Sequence, residues 1–374
     1  MRLPLGTTIA RMGMVLFMLV ATFLPTSLKA QVEQTFKYTE LVSDEVNPEL
    51  LWLGTEGGVK SYHQKKREWQ LYPLVPPVNC FFVDVRDKNL VWAGTKSGLF
   101  VFSRDTNEWR PANQQFPKLK SDKATSAAFL SGDITAIIAD PIKPKMLFLA
   151  TDDGLAHFDL ETQKADFLTV DDGLVEDRIT CMELDRELPA RLWLGAAGGL
   201  MSVDVATLQI RRHLSLGEVP GDEIRTIAVN SEWVLVNNPQ TGIAGYHKEG
   251  DYWDYYRPYE KVALSDYYVL SLLYSVHEES VKLWIGTRSY GVLAFDETTK
   301  MSVQLLEKGL SVTAFAASIK DPEQLYFTAQ VCAGGGVGYY SFADRSWWST
   351  SPMVVLDATF PVSWREIQKD SQGF

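Results

Sequence analysis

A short motif recurs seven times along the chain, and this repeat limits the possible folds more than any other feature. Each copy has an apolar run around a bulky anchor, then a Gly followed by a branched apolar residue, and usually an aromatic residue three positions later. The anchors stand 40 to 56 residues apart, a period typical of propeller blades. They are Trp52, Trp92, Phe148, Trp193, Val234, Trp284 and Tyr326.

Each repeat contains four short strands separated by turn residues. In the third copy they are "DITAIIAD", "MLFLAT", "GLAHFDL" and "KADFLTV", with Gly, Asp, Pro and Lys between them. Four strands in about 45 residues, repeated in series, indicate a β-propeller. We therefore predict an all-β fold, a seven-bladed β-propeller with four-stranded antiparallel blades. The first strands are expected near 36–42, 78–85, 133–139, 178–184, 223–229, 267–274 and 311–318.

The anchor and the Gly of each copy have structural roles in this interpretation. An aromatic anchor such as Trp52 fills the wedge between two blades, because inner strands pack on both faces. A Gly such as Gly58 provides a turn with positive φ or lets the backbone approach closely. No helix is predicted after the glycines of "LWLGTEGGV", so this stretch is not a phosphate-binding loop.

The two ends of the chain lie outside the repeats. Residues 1–30 contain Arg2 and Arg11, an apolar run and a small residue at Ala30, which is the order of a secretory signal peptide cut after Ala30. An uncleaved anchor is the alternative, but 13 apolar residues are short for a span of roughly 30 Å. We predict the propeller over 31–350, a periplasmic or secreted location without stable membrane insertion, and a C-terminal extension over 351–374 that could add a closing strand.

Charge and cysteine content exclude some classes of partner and scaffold. The whole chain has a formal charge of −11, and removing the three basic residues of the first 30 leaves about −14. With no basic patch, a nucleic-acid partner is not expected. The chain has only Cys80, Cys181 and Cys332, fewer than a disulfide-held exported domain would need. Free thiols are favoured, and a Cys80–Cys332 pair is the alternative.

Several copies resemble the two-component regulator propeller repeat. The closest matches are "DDGLVEDRITCMELD" followed by "RLWLGAAGGLMSVD", and "KLWIGTRSYGVLAFDETT". The resemblance covers essentially all of the chain after residue 30. It implies a propeller of the kind found in the periplasmic sensor region of hybrid histidine kinases, often as two propellers before a β-sandwich, a membrane helix and kinase domains. With repeats for one propeller and no kinase, a stand-alone exported member is expected here.

The candidate ligand-binding residues lie in two sets of loops. Propellers place the turns between second and third strands, and the connections between blades, on one face around the channel, where ligand pockets are favoured. The alternative is that these are ordinary solvated turn residues. The predicted residues are Glu56, Lys96, Asp152, Asp153, Asp171, Asp172, Gln240, Arg288, Tyr290 and Gln330.

No motif in the sequence points to catalysis, a metal or a cofactor. The Asp-Asp-Gly runs at 152–154 and 171–173 lack the spacing of a calcium loop, and Asp and Gly are common turn residues. No nucleophile elbow, zinc-protease motif or Cys/His zinc spacing is present. We therefore predict no catalytic residue, no metal site and no cofactor.

Two further segments could belong to a binding face. An insertion near 111–131 carries Lys118, Lys120 and Lys123, and it could be a flap over the channel mouth or a surface loop. The segment 247–261, "HKEGDYWDYYRPYEK", is dense in aromatic residues. Its rings could stack on sugars or contact a partner, or they could pack on an outer strand.

Three functions are compatible with this sequence. The first is a sensor-like module that binds an unknown small molecule, glycan or protein and has no kinase of its own. The second is a carbohydrate-active propeller enzyme, a lyase or a hydrolase, whose paired carboxylates come from different blades. The third is a purely structural assembly module.

Overall fold

The computed structural model describes thirteen segments of the chain. The predicted signal peptide, most of the insertion, the C-terminal extension, Gln240 and Cys332 lie outside them. The described residues are 37–72, 75–116, 132–185, 190–213, 223–238, 242–255, 268–277, 280–297, 301–304, 311–318, 324–331, 334–342 and 346–349.

The described residues form seven four-stranded antiparallel sheets, each built from four consecutive strands. This confirms the predicted seven-bladed β-propeller. Blade 1 contains β1 (Tyr38–Ser43), β2 (Leu50–Thr55), β3 (Gly58–His63) and β4 (Glu68–Tyr72). Blade 2 contains β5 (Val78–Val83), β6 (Leu90–Thr95), β7 (Gly98–Ser103) and β8 (Glu108–Pro111). Blade 3 contains β9 (Ile134–Ala139), β10 (Met146–Thr151), β11 (Gly154–Asp159) and β12 (Lys164–Leu168).

The remaining blades follow the same order. Blade 4 contains β13 (Ile179–Leu184), β14 (Arg191–Ala196), β15 (Gly199–Asp204) and β16 (Ile210–Arg212). Blade 5 contains β17 (Ile227–Val229), β18 (Trp233–Asn238), β19 (Gly242–His247) and β20 (Tyr252–Tyr255). Blade 6 contains β21 (Val269–His277), β22 (Ser280–Thr287), β23 (Val292–Asp296) and β24 (Met301–Gln304). Blade 7 contains β25 (Ser311–Ala317), β26 (Gln324–Val331), β27 (Gly334–Ser341) and β28 (Ser346–Ser349).

Helices in the described segments are short. A four-residue helix, α1 (Ala112–Gln115), follows β8, and a single 3-10 turn covers Val170–Asp172 before blade 4. No helix within the described segments is long and apolar enough to cross a membrane.

The aromatic anchors fill the wedges between blades, as predicted. Trp52 of blade 1 packs against Phe102 and Trp109 of blade 2, with ring centroids 4.8 and 5.5 Å apart. Trp92 lies in one apolar cluster with Ile134 and Leu149 of blade 3. Burying an aromatic side chain of this size stabilises a fold by several kcal/mol, roughly 3 to 5 on the scale of truncation to Ala.

The Gly positions of the repeat serve the two purposes expected of them. Gly58 opens β3 with φ 124°, a conformation that L-residues rarely adopt. The hydroxyl of Thr55 closes this turn, because it donates to Gly58 O at 2.8 Å and accepts from the Gly57 N–H. Gly94 allows a close approach instead: a Cβ there would stand 2.4 Å from Cys80 Sγ.

The first strands of the blades are linked by a belt of side-chain hydrogen bonds around the channel. A bulge follows Tyr38 in β1 and lets the Thr39 hydroxyl donate to Val78 O of the next blade at 2.5 Å. At the interface of blades 5 and 6 the direction is reversed, since Leu272 N–H donates to Thr226 Oγ1. The other described hydroxyl and amide side chains that donate to the next blade's carbonyl at these positions are Asn79, Thr135, Thr180, Ser271 and Thr313.

The ring closes between blades 7 and 1 without a strand shared between the two in the described segments. Thr313 Oγ1 and Gln330 Nε2 both donate to Tyr38 O, at 3.1 and 2.5 Å. Ser43 Oγ donates to Ala317 O at 2.9 Å. Closure therefore depends on the same kind of contact that holds the other blades together.

Thr313→Val tests this account of closure. The variant loses the bond to Tyr38 O and the contact of 2.8 Å between the Thr313 and Thr328 hydroxyls, and we expect its free energy of unfolding to fall by at least about 1 kcal/mol. Urea unfolding followed by tryptophan fluorescence measures the change. Thr39→Val, which removes the equivalent bond between blades 1 and 2, is the matched control and should fall by a similar amount. An unchanged midpoint for Thr313→Val alone would contradict the proposed role of the belt in closure.

Candidate functional site

The two loop sets predicted to share a face do lie together. The N–H of Glu56, in the β2–β3 turn, donates to Lys37 O at 3.1 Å, next to the start of β1. Lys96 N–H donates in the same way to Pro77 O at 3.3 Å. The turns between second and third strands therefore adjoin the connections that enter the first strands. We call this side of the propeller the connection face.

The predicted residues on the connection face mainly contact their own turns or the adjoining connection. Asp152 Oδ1 accepts from Asp133 N–H, and Asp172 Oδ2 accepts from the N–H and hydroxyl of Thr169 to cap the 3-10 turn. Asp171 is exposed in the same turn, as are Lys96 and Asp153 in theirs. Turn formation explains the Asp-Asp-Gly runs. Within the described segments no group of three or more His, Cys, Asp or Glu side chains could hold a metal ion.

The other predicted residues are spread over three blades. Glu56 forms an exposed ion pair with Lys37 at 3.5 Å. The Arg288 guanidinium lies 5.8 Å from the Tyr268 ring centroid, and Tyr290 N–H donates to Thr287 Oγ1. Gln330 belongs to the closure contact with blade 1, whereas Gln240 lies outside the described residues. Ligand binding by this set stays a prediction.

A cavity of about 190 Å³ opens on the opposite side of the propeller, between blades 5 and 6. It lies where first strands end, so we call this side the strand-end face. The prediction did not include this site. Its lining residues come from blades 4, 5 and 6: Glu183, Ile227, Ala228, Val229, Asn230, Ser231, Leu272, Leu273, Tyr274, Val276, Val281 and Glu297.

Blade 6 forms one wall of the cavity with a longer hairpin. Its strands β21 and β22 have nine and eight residues, whereas β1 and β2 have six each. Pairing continues through Val276 with Val281. Val276 is 68% exposed at the end of this wall. The sequence prediction ended this strand near residue 274, and therefore missed the part that borders the cavity.

Three polar side chains form a hydrogen-bonded network at the cavity. Asn230 Nδ2 donates to Tyr274 Oη at 3.0 Å and to both oxygens of Glu297 at 3.1 Å. Tyr274 Oη donates to Glu297 Oε1 at 2.7 Å. Asn230 Oδ1 accepts the N–H groups of Glu232 and Trp233, which fixes the amide. The Glu297 carboxylate is therefore held in one orientation.

The same positions carry a different charge pattern at two other blade interfaces. Asp44 ends the first strand of blade 1 and pairs with Arg104, the first residue after β7, at 2.7 Å. Asp185 pairs with Lys248, the first residue after β19, at 3.1 Å. Both aspartates are buried. At the interface of blades 5 and 6, Asn230 replaces the aspartate and Glu297 replaces the cation.

Two tryptophan anchors also bond to these buried aspartates through their ring N–H groups. Trp52 Nε1 donates to Asp44, and Trp193 Nε1 donates to Asp185. Blade 3 has Phe148 as its anchor, which offers no donor. There His157, stacked on Phe148 at 4.4 Å, bonds to Asp140 at 2.8 Å instead. These buried polar groups stabilise blade interfaces and are not part of an open site.

An exposed aromatic patch adjoins the cavity on blade 5. Tyr252 stacks on His247, with ring centroids 4.9 Å apart, and meets Trp233 edge-on at 6.0 Å. Trp233 in turn packs against the cluster that contains Ala228 and Leu272 of the cavity lining. Trp253 packs on the outer strand, where its Nε1 donates to His213 O. In the described part of the segment 247–261, Trp253 is packed and Tyr252 is exposed, while the Tyr255 side chain, Tyr256 and Tyr259 lie outside what the structure describes.

The structure describes only the first residues of the insertion, up to Phe116. Phe116 stacks on Trp92 at 5.4 Å with an interplanar angle of 13°. Its three lysines lie outside the described residues, so the flap remains a prediction.

Other buried titratable groups in the described segments include two thiols and a histidine. Cys80 and Cys181 are free thiols, and burial raises the pKa of both, that of Cys181 to about 12. Ser202 Oγ and His213 Nε2 are 2.8 Å apart, but both residues are almost fully buried. Burial also lowers the pKa of His213 to about 4. This pair resembles a nucleophile and base but is inaccessible to a substrate.

Fold and cavity together define the class: a seven-bladed β-propeller with a small cavity on its strand-end face. No protein-family model matches the chain, and no curated protein matches it. Among solved structures, 1258 chains match, so likeness at this level identifies an architecture rather than an activity.

Three of these structures illustrate the likeness. Two show the extracellular domain of BT4673 from B. thetaiotaomicron, described once as a hybrid two-component system and once as a one-component system. Both have a TM-score of 0.60 and 13% identity, cover 82% and 81% of this chain, and are covered over 39% and 40% of their own length. An ancestral GH74 enzyme has a TM-score of 0.60 and 10% identity, over 85% of this chain and 48% of its own.

The chain therefore spans less than half the length of these solved chains. At such identities the likeness shows the fold alone. The extracellular two-component domains agree with the resemblance of the repeats to two-component regulator propellers.

Proposed function

We propose that this protein is an exported, sensor-like propeller that binds a small molecule in the cavity between blades 5 and 6. The observation that carries the proposal is the network of Asn230, Tyr274 and Glu297. It borders a cavity at the interface where Asn230 and Glu297 stand in place of the buried aspartate and cation found at two other interfaces. A local departure from the regular pattern is typical of a functional site.

The size of the cavity favours a small ligand. Pockets for drug-sized ligands measure about 300–1,000 Å³, and this cavity measures about 190 Å³. Apolar side chains form most of its wall, and a few polar groups fix orientation, which is the usual composition of a ligand site. Tyr252 could extend the contact surface outside the cavity, since an exposed ring can pack on a larger ligand.

Val276→Trp tests the location of the site. Val276 is exposed, so the larger ring should leave the fold stable while it covers the cavity mouth. A small-molecule library screened by saturation-transfer NMR supplies the ligands. For ligands of the cavity we expect at least about a tenfold loss of affinity, since one blocked contact surface of this size is worth 1.4 kcal/mol or more.

Val85→Trp is the matched control, because Val85 is an exposed valine just after the end of β5 in blade 2. It should leave every affinity unchanged. If ligands keep their affinity in Val276→Trp and lose it in Lys96→Ala or Arg288→Ala, the site lies on the connection face and the proposal is wrong.

The carbohydrate-active enzyme is the second candidate. Two carboxylates, Glu183 of blade 4 and Glu297 of blade 6, line the same cavity, and paired carboxylates are what glycoside cleavage needs. Release of reducing ends from a panel of polysaccharides, lost in both Glu183→Gln and Glu297→Gln, would establish this function in place of simple binding.

A further inference from the structure

The cavity offers hydrogen-bond acceptors of negative charge on an apolar wall. Glu183 and Glu297 are its acidic residues, and the described lining residues include no Lys, Arg or His. Leu272, Leu273 and Val276 belong to the apolar part of the lining. A ligand matched to such a surface has a cationic donor at one end and a hydrocarbon body.

The negative charge at this interface is not a requirement of the fold. At the equivalent place Arg104 and Lys248 bring a cation to a neighbouring blade, where each neutralises a buried aspartate. Blade 5 has Asn230 where the aspartate would be, so no cation is needed from blade 6. Glu297 therefore places a carboxylate at a position where two other interfaces have a cation and the remaining ones have an uncharged residue.

The carboxylate is also preorganised. Bonds from Asn230 and Tyr274 hold Glu297 in place. A fixed acceptor loses little conformational entropy when a ligand binds. This distinguishes Glu297 from an exposed glutamate such as Glu161.

We propose that the cavity selects ligands that carry a protonated amine, with the ammonium group at Glu297 and Glu183 and the hydrocarbon part against Leu272, Leu273 and Val276. The inference deepens the proposed function and rests on it. Its class of ligand is a small aliphatic or aromatic amine.

Two isosteric probes test the selection: isoamylamine, which is protonated at pH 7, and isoamyl alcohol, which is neutral. We expect the amine to bind the full exported chain about tenfold more tightly, because a charge-assisted hydrogen bond is worth about twice a neutral one. Titration by protein NMR at low salt measures both dissociation constants. Raising the ionic strength to about 0.5 M should weaken only the amine, because salt screens the charge.

Glu297→Gln should reduce the preference for the amine to threefold or less and leave the affinity for the alcohol unchanged. Glu183→Gln is the second variant, used if the first does not fold. Glu161→Gln is the matched control and should keep the full preference. Equal binding of the two probes, or a preference that survives both substitutions, would overturn the inference.

The failures of the two proposals are distinguishable. If neither probe binds but a neutral compound binds and loses affinity in Val276→Trp, the cavity is the ligand site and amine selection is wrong. If no compound loses affinity in Val276→Trp, both proposals fail.

Discussion

Lys248→Met should lower the free energy of unfolding by about 3–5 kcal/mol, the largest effect expected of any single polar substitution here. Lys248 Nζ lies 3.1 Å from Asp185 Oδ2, and both side chains are almost fully inaccessible, at 4% and 0%. Removing the Lys248 ammonium group leaves the buried Asp185 carboxylate without this balancing charge. The cost is that of the buried charge and not of the bond alone.

A double-mutant cycle separates these two contributions. Asp185→Asn combined with Lys248→Met removes both charges, so we expect it to recover most of the lost stability. Arg104→Met should resemble Lys248→Met, since Arg104 contacts buried Asp44 in the same way. Arg110→Met breaks an exposed pair with Glu108 and should cost less than about 1 kcal/mol. Equal urea midpoints for Lys248→Met and Arg110→Met would refute the argument.

The features shared by the seven copies were predictable from the sequence. A repeated Gly such as Gly58 marks a turn with positive φ, and a repeated Trp such as Trp52 marks a wedge between blades. Each signal is weak in one copy and strong in seven, because every blade meets the same packing problem. For this reason the blade number, the strand order and the orientation of the turns follow from the sequence.

The cavity was not predictable in the same way, because it lies where one copy differs from the others. A signal was nevertheless present. The residue near the end of the first strand is Asp44, Asp84, Asp140 and Asp185 in blades 1 to 4, then Asn230, Ser275 and Ser318 in blades 5 to 7. Blade 5 is the first blade without the buried aspartate, and its interface with blade 6 holds the cavity. Blades 6 and 7 also lack it, so the signal narrows the search to this half of the ring. The long-range approach of Glu183, Asn230 and Glu297 requires the closed ring itself, which no local pattern encodes.

Glu40→Gln should make the protein more stable at pH 8 by up to about 3 kcal/mol and leave it unchanged at pH 4. Glu40 follows the bulge of β1 at the channel, and burial raises its pKa from 4.5 to about 7. The folded state therefore holds a proton that the unfolded state releases between these values. Stability contributed by this group falls as the pH rises through that window, at about 1.4 kcal/mol per unit. Gln keeps an oxygen for the Leu41 N–H, which Glu40 bonds at 2.9 Å.

His213 has the opposite effect over nearly the same range, so the two contributions offset each other in the wild-type protein. Its pKa is lowered from 6.5 to about 4 by burial, and hence the unfolded state binds more protons between those values. That contribution is complete above pH 6.5 and is lost as the pH falls towards 4. In Glu40→Gln the His213 contribution remains, so stability should rise with pH. In His213→Gln the Glu40 contribution remains, so stability should fall with pH. Urea midpoints measured from pH 4 to pH 8 for the three proteins check both signs, and a flat profile in either variant would contradict the assignment of that residue.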